Sequence, residues 1–70
     1  MMPLVYAEKD KPLSIRKIGG NPETKKHLAD LGFTVGSEVC VVNRLGGNLI
    51  VKVKESRVAV SNELAGKIMI

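Results

Sequence analysis

Seventy residues with 11 Lys and Arg against 7 Asp and Glu describe one small domain, spanning 1–70, with a mildly basic balance. At this size folding buries only about 60% of the surface that the unfolded chain exposes, which leaves little room for a deep catalytic cleft. Aromatic residues are 3% of the chain against 44% apolar residues, so the core is expected to be aliphatic, and no stretch approaches the ~20 apolar residues of a membrane span.

The first ten residues, "MMPLVYAEKD", hold an apolar run of four, Leu4 to Ala7, with no basic segment before it. This excludes an ordinary signal peptide and predicts a cytoplasmic chain without direct membrane insertion. A lone Cys40 cannot close an intramolecular disulfide, which agrees with that compartment. Net charge +4 favours acidic partners without requiring nucleic acid.

The next element is "PLSIRKIG", which alternates Leu13, Ile15 and Ile18 with Ser14, Arg16 and Lys17 and predicts a half-buried strand over 13–18. After Gly19-Gly20, "NPETKKHLADLG" predicts a short helix over 22–31. Asn21 suits the N-cap, Pro22 the first helical position, and Glu23 the positive end of the helix dipole. At helical spacing Thr24, Leu28 and Leu31 share one face, with Glu23, Lys26 and Asp30 opposite. Gly32 stands where a left-handed residue ends a helix, and Phe33 is placed to fold back on it.

The remainder alternates as sheet. "SEVCVVNRL" and "NLIVKVKE" flank Gly46-Gly47, which predicts a hairpin. A two-residue loop would put Cys40 and Val42 on the face of Val51 and Val53. A three-residue loop, Gly46 to Asn48, groups Val39, Val41 and Leu45 with Leu49, Val51 and Val53. The second gives the more continuous apolar face and is preferred, because a one-residue slip turns every side chain over. It turns Cys40 outward, between Glu38, Val42 and Lys54. A turn at Glu55-Ser56 leads to a strand over 57–60, Ser61 caps a helical turn over 62–65, Gly66 ends it, and "KIMI" returns with Ile68 and Ile70 inward. Five short strands with one helix predict a mostly β, small closed barrel, and closure removes exposed strand edges.

Few residues point to chemistry. "AGKIMI" has the Gly-Lys of a phosphate-binding loop, but Ser61 stands where the first glycine is needed and Ile68 where Ser or Thr would hold magnesium. Glu23, His27 and Asp30 share helical spacing that can grip a divalent ion such as iron or zinc, and Cys40 is a further soft donor. The plainer reading is a solvated helix face and a partly covered apolar thiol. No cofactor is required by these residues, and Cys40 with His27 is two ligands short of a structural zinc site. Arg44, Lys52, Lys54 and Arg57 are read as one basic face joined by Val42 and Ile50. It lacks an aromatic residue to stack a base, which makes nucleic acid an unfavoured partner. With one His and one Cys, and no carboxylate pair at catalytic spacing, the chain is read as a binding module and not an enzyme.

"L-A-D-L-G-F-x-x-G-x-x-V", Leu28 to Val39, resembles the signature of the FeoA family, small cytoplasmic accessory proteins of bacterial ferrous iron uptake. The resemblance continues through the hairpin and "VAVSNELAGKIMI", and covers the chain from about Leu4 to Ile70. Val35 stands where the family often carries Pro, and Pro12-Leu13 where it carries Pro-Gly. The resemblance implies an SH3-like barrel and a partner, the membrane permease FeoB, met through its cytoplasmic GTPase portion. It also implies that Gly36 turns the chain from the helix into a barrel strand. The partner surface it suggests combines Lys25, Lys26, Phe33 and Thr34 with the nearby hairpin, while Phe33 equally suits a core position. The alternatives from other classes are a free-standing nucleic-acid-binding barrel and a metal-linked regulatory module, since a related barrel forms the C-terminal domain of some iron-dependent repressors.

Overall fold

Asn21 and Pro22 start a helix where the sequence places one. The computed structural model describes residues 1–70, and in it α1 spans Pro22–Asp30. The Asn21 side chain accepts a hydrogen bond from the Thr24 amide at 2.8 Å, and Pro22 has no amide to leave unsatisfied. Leu28 is buried and Thr24 and Leu31 are half-buried, as the spacing predicts, while Glu23, Lys25, Lys26, His27 and Asp30 are exposed.

The helix ends on Gly32 at φ +106°. Gly32 N–H donates to Ala29 O and Phe33 N–H donates to Leu28 O, both at 2.9 Å. These paired bonds satisfy the last helix carbonyls and carry Phe33 beneath the helix it terminates. The ring is 0% exposed and belongs to the same buried cluster as Leu28.

The predicted strand over 13–18 is two strands, β1 (Leu13–Ser14) and β2 (Lys17–Ile18). Between them Ile15 N–H donates to Ser37 O at 2.9 Å, and Arg16 N–H donates to Met69 O at 2.7 Å. The chain therefore changes sheets within two residues and buries Ile15 at the bend. With β3 (Glu38–Leu45), β4 (Asn48–Val53), β5 (Ser56–Ser61) and β6 (Ile68–Met69), the strands form an antiparallel sheet in the order β1-β3-β4-β5 and a second sheet of β2 and β6. The expected five strands become six because of this bend.

Residues 1–7 complete the wrap. Met2 and Ile70 exchange backbone bonds of 3.0 and 2.9 Å, which draws the two ends of the chain together. Leu4–Tyr6 then form a short 3-10 turn that the sequence did not announce; Leu4 and Ala7 plug the core. Ser61 caps α2 (Asn62–Ala65) by accepting from the Leu64 amide at 3.2 Å. All 14 buried residues are apolar, and thirteen of them are not aromatic, so the core is aliphatic around one ring.

Register in the β3–β4 hairpin resolves both alternatives at once. The loop is the two-residue one, with Leu45 paired to Asn48, Arg44 to Leu49 and Asn43 to Ile50. Past Asn43 the pairing shifts, so that Val41 faces Val51 and Val39 faces Val53. Val42 is the extra residue of a β-bulge, which returns Val39 and Val41 to the inner face. Leu45, expected inward, lies on the turn side of the bulge and is 57% exposed. The turn between β4 and β5 holds Lys54 and Glu55, one residue earlier than expected, with Lys54 at φ +54°.

Two further expectations are corrected here. Arg44 shares the inner-face register of Leu49, and its Nη2 donates to Val5 O at 3.0 Å and Ala7 O at 2.5 Å. It ties the hairpin to the 3-10 turn and is not part of a basic face with Lys52, Lys54 and Arg57. The mostly β small barrel is as expected, but it does not remove every strand edge: β5 pairs only with β4, leaving its outer edge without a strand.

Gly32 and Gly66 separate backbone conformation from crowding. An added Cβ at Gly32 meets only Val53 methyls at 3.5 Å or more, so its penalty is the left-handed φ. Gly32→Ala should cost about 1–2 kcal/mol in urea unfolding. Gly66 has φ −66°, and Gly66→Ala should change stability by less than about 0.5 kcal/mol. Equal losses at the two positions would contradict this account of the helix end.

Candidate functional site

The exposed side of α1 carries several charged and polar side chains on a capped helix. Lys25 and Lys26 are exposed, as are Glu23, His27 and Asp30. The helix needs none of them for packing, since it attaches through Leu28, Leu31 and the Phe33 that follows. Thr34, from the same expected patch, is half-buried: its Oγ1 lies 2.7 Å from Ser37 Oγ, and Ser37 N–H donates to Thr34 O at 3.0 Å. Gly36, at φ +92°, closes this turn by donating its N–H to Ile15 O at 2.8 Å. The turn therefore delivers the chain from the helix into β3.

Phe33 is corrected. Its ring is fully buried and offers nothing to a partner. The exposed apolar residue of this region is Val35, 64% accessible at the tip of the 34–37 turn. Sequence reasoning noted Val35 only as a departure from the Pro that the family often carries there. The signal it passed over was a β-branched residue set between two turn-forming positions, Thr34 and Gly36, where no inward face is available.

The four candidate metal donors do not assemble. Glu23, His27 and Asp30 remain on α1 and Cys40 is on β3, and no three His, Cys, Asp or Glu side chains converge anywhere in the chain. Glu23 and His27 keep their one-turn spacing, which offers two ligands at most from these neighbours.

Cys40 points away from the core, half-buried, as the register predicted. It lies beside a groove of about 420 Å³ whose walls include Glu38, Lys52 and Lys54. The cross-strand row running from it is Cys40 to Lys52 to Arg57. Lys52, Lys54 and Arg57 are therefore the part of the expected basic face that stays on the outside, and Arg44 is the part that does not.

Comparison with known proteins follows the same division of the chain. The FeoA domain family model matches residues 2–70. A protein of Methanocaldococcus jannaschii, provisionally named Fe(2+) transport protein A, is 30% identical over 70 residues, covering 100% of this chain and 85% of its own length. A crystal structure of an iron uptake regulatory protein, FeoA, superposes with a TM-score of 0.88 at 25% identity, over 96% of this chain and 89% of that one. FeoA of Stenotrophomonas maltophilia, crystallised with zinc and described as a procaryotic SH3 domain protein, superposes with a TM-score of 0.83 at 25% identity, over 99% of this chain and 88% of that one.

The donor geometry of α1 sets a test of metal binding by this chain. Zinc titrated against the labelled protein should shift amide resonances of residues 22–31 alone, and His27→Ala should abolish those shifts. A saturable zinc site that survives His27→Ala would show that other donors assemble.

Proposed function

The chain belongs to the FeoA family of ferrous iron transport accessory proteins, and we propose that it works by binding the cytoplasmic GTPase portion of a FeoB-type permease and modulating transport. The observation that carries this reading is the extent of the family match, residues 2–70. The match runs over nearly all of the residues given, so the reading is built on the surface of this domain. That surface supplies what a contact with another protein needs: Lys25 and Lys26 exposed on a capped helix, and Val35 at a turn tip that continues from the same helix. The core consumes the single Phe, so within this patch the contact is made by charged and aliphatic side chains. None of the helices is long and apolar enough to cross a membrane, and in this reading the permease supplies the membrane anchorage.

The site envisaged is Lys25, Lys26, Thr34 and Val35. Thr34 and Ser37 hold the turn in shape, the lysines meet carboxylates of the partner, and Val35 gives a small apolar contact. Such a surface resists salt better than binding to phosphates, whose affinity falls steeply as counterions compete. Divalent metal at Glu23 and His27 is an accessory possibility on the same helix and is not needed for the contact.

Calorimetric titration of the chain into the soluble GTPase domain of the cognate permease tests the proposal, at low and moderate salt and with or without guanine nucleotide. Saturable heat that persists at moderate salt is expected. Replacing Lys25 and Lys26 together by Glu should weaken binding about tenfold, ~1.4 kcal/mol. Absence of heat under every condition, with salt-sensitive binding to generic RNA or DNA instead, would overturn this reading in favour of a nucleic-acid barrel.

A further inference from the structure

The outer edge of β5 is the one long strand edge that the wrap leaves open. The hairpin to β4 closes on Val53 and Ser56, and Asn62 N–H donates to Gly47 O at 2.8 Å at the other end of the ladder. These two ends fix the alternation of an antiparallel pair: Ser56, Val58 and Val60 bond inward to β4, while Arg57 and Ala59 turn their N–H and C=O groups outward. No backbone bond outside the ladder engages Arg57 or Ala59. Both residues are exposed. Two successive donor–acceptor pairs therefore face solvent at the spacing of a missing strand.

The side chains at this edge say what kind of strand fits. Lys52 and Arg57 are direct cross-strand partners on the outer face, an arrangement of like charges that opposes pairing. The rest of their row is Cys40. Glu38 and Lys54 both line the groove, and Glu55 lies in the turn beyond the ladder. No carboxylate occupies the Lys52–Arg57 row. An added strand with an acidic side chain beside Arg57 would relieve the repulsion, and a small residue would suit the position beside Ala59. On the inner side half-buried Val58 offers an apolar neighbour.

We propose that β5 is a docking edge for an extended acidic peptide segment of a partner protein, which joins the sheet as a fifth strand through the backbone of Arg57 and Ala59. Strand addition of this kind takes affinity from main-chain bonds and specificity from alternate side chains. A second copy of this chain is the poorer occupant. Antiparallel pairing of two β5 edges would set two Lys52–Arg57 pairs on one continuous face. The inference goes beyond the proposed permease contact and stands or falls separately from it, because its probe is a synthetic peptide.

Amide exchange in the free protein is the first arm. Arg57 and Ala59 should exchange fast while Val58 and Val60 are protected; protection of Arg57 and Ala59 that rises with protein concentration would overturn the proposal in favour of self-association. The second arm titrates the labelled chain with two capped hexapeptides, one alternating Val and Glu, the other alternating Val and Lys. The Val-Glu peptide should shift and protect the Arg57 and Ala59 amides and the Val-Lys peptide should not. Arg57→Glu should weaken the Val-Glu peptide at least fivefold and admit the Val-Lys peptide. Ala59→Pro removes one outward donor without touching the β4 ladder and should abolish binding of the Val-Glu peptide. Shifts confined to α1, or binding of Val-Glu undiminished in both variants, would sink the strand-addition model.

Discussion

Everything in this domain hangs on how its longer helix, α1, is fastened to the sheet. The fastening is the pair of bonds at the helix end, Phe33 N–H to Leu28 O and Gly32 N–H to Ala29 O. They require the left-handed Gly32, and they turn the only phenylalanine of the chain under the helix. A nine-residue helix is marginal on its own. Burying Leu28 and Phe33 contributes about 1.5–3 kcal/mol for each side chain, which is a large share of what holds a 70-residue domain together. The same arrangement frees the opposite side of α1. Because Leu28, Leu31 and Phe33 do the packing, Lys25, Lys26 and His27 are left to solvent.

Local chemistry made much of this legible. Asn21-Pro22, Leu28 and Gly32 located the helix to within a residue because each acts within one or two turns. Ser61 located α2 for the same reason. The alternation of Val39 and Val41 with Val51 and Val53 identified the inner face. The misses that reshape the sheets are non-local. The bend at Ile15 depends on Ser37 and Met69 offering carbonyls to successive amides, which no local pattern encodes. The bulge at Val42 let a two-residue loop coexist with the preferred inner face, and so Leu45 came out exposed. Arg44 was counted with the outer basic residues, whereas the same bulge aims it at the carbonyls of Val5 and Ala7. Phe33 was left open between core and surface, and the core placement holds. Of the candidate donors, only the three on one helix stay near each other, since spacing along α1 is local and the approach of Cys40 would not be.

The outer surface thus has two separate regions suited to recognition. One is the free side of α1 with the 34–37 turn, rigid and basic. The other is the β5 edge, where unpaired backbone groups adjoin Lys52 and Arg57. They differ in the interaction they offer, side-chain charge in the first and main-chain hydrogen bonding in the second, and they can be disabled independently. A barrel this small leaves little interior for a site, so the recognition proposed for it falls to such faces.

The most direct measurement is resonance mapping of the labelled chain against the soluble GTPase domain of its cognate permease. The account predicts that the amides of Lys25, Lys26, Thr34 and Val35 shift or broaden, while the buried amides of Val51 and Leu28 keep their environment. An unchanged spectrum at saturating partner concentration would contradict the claim that this domain acts through that contact.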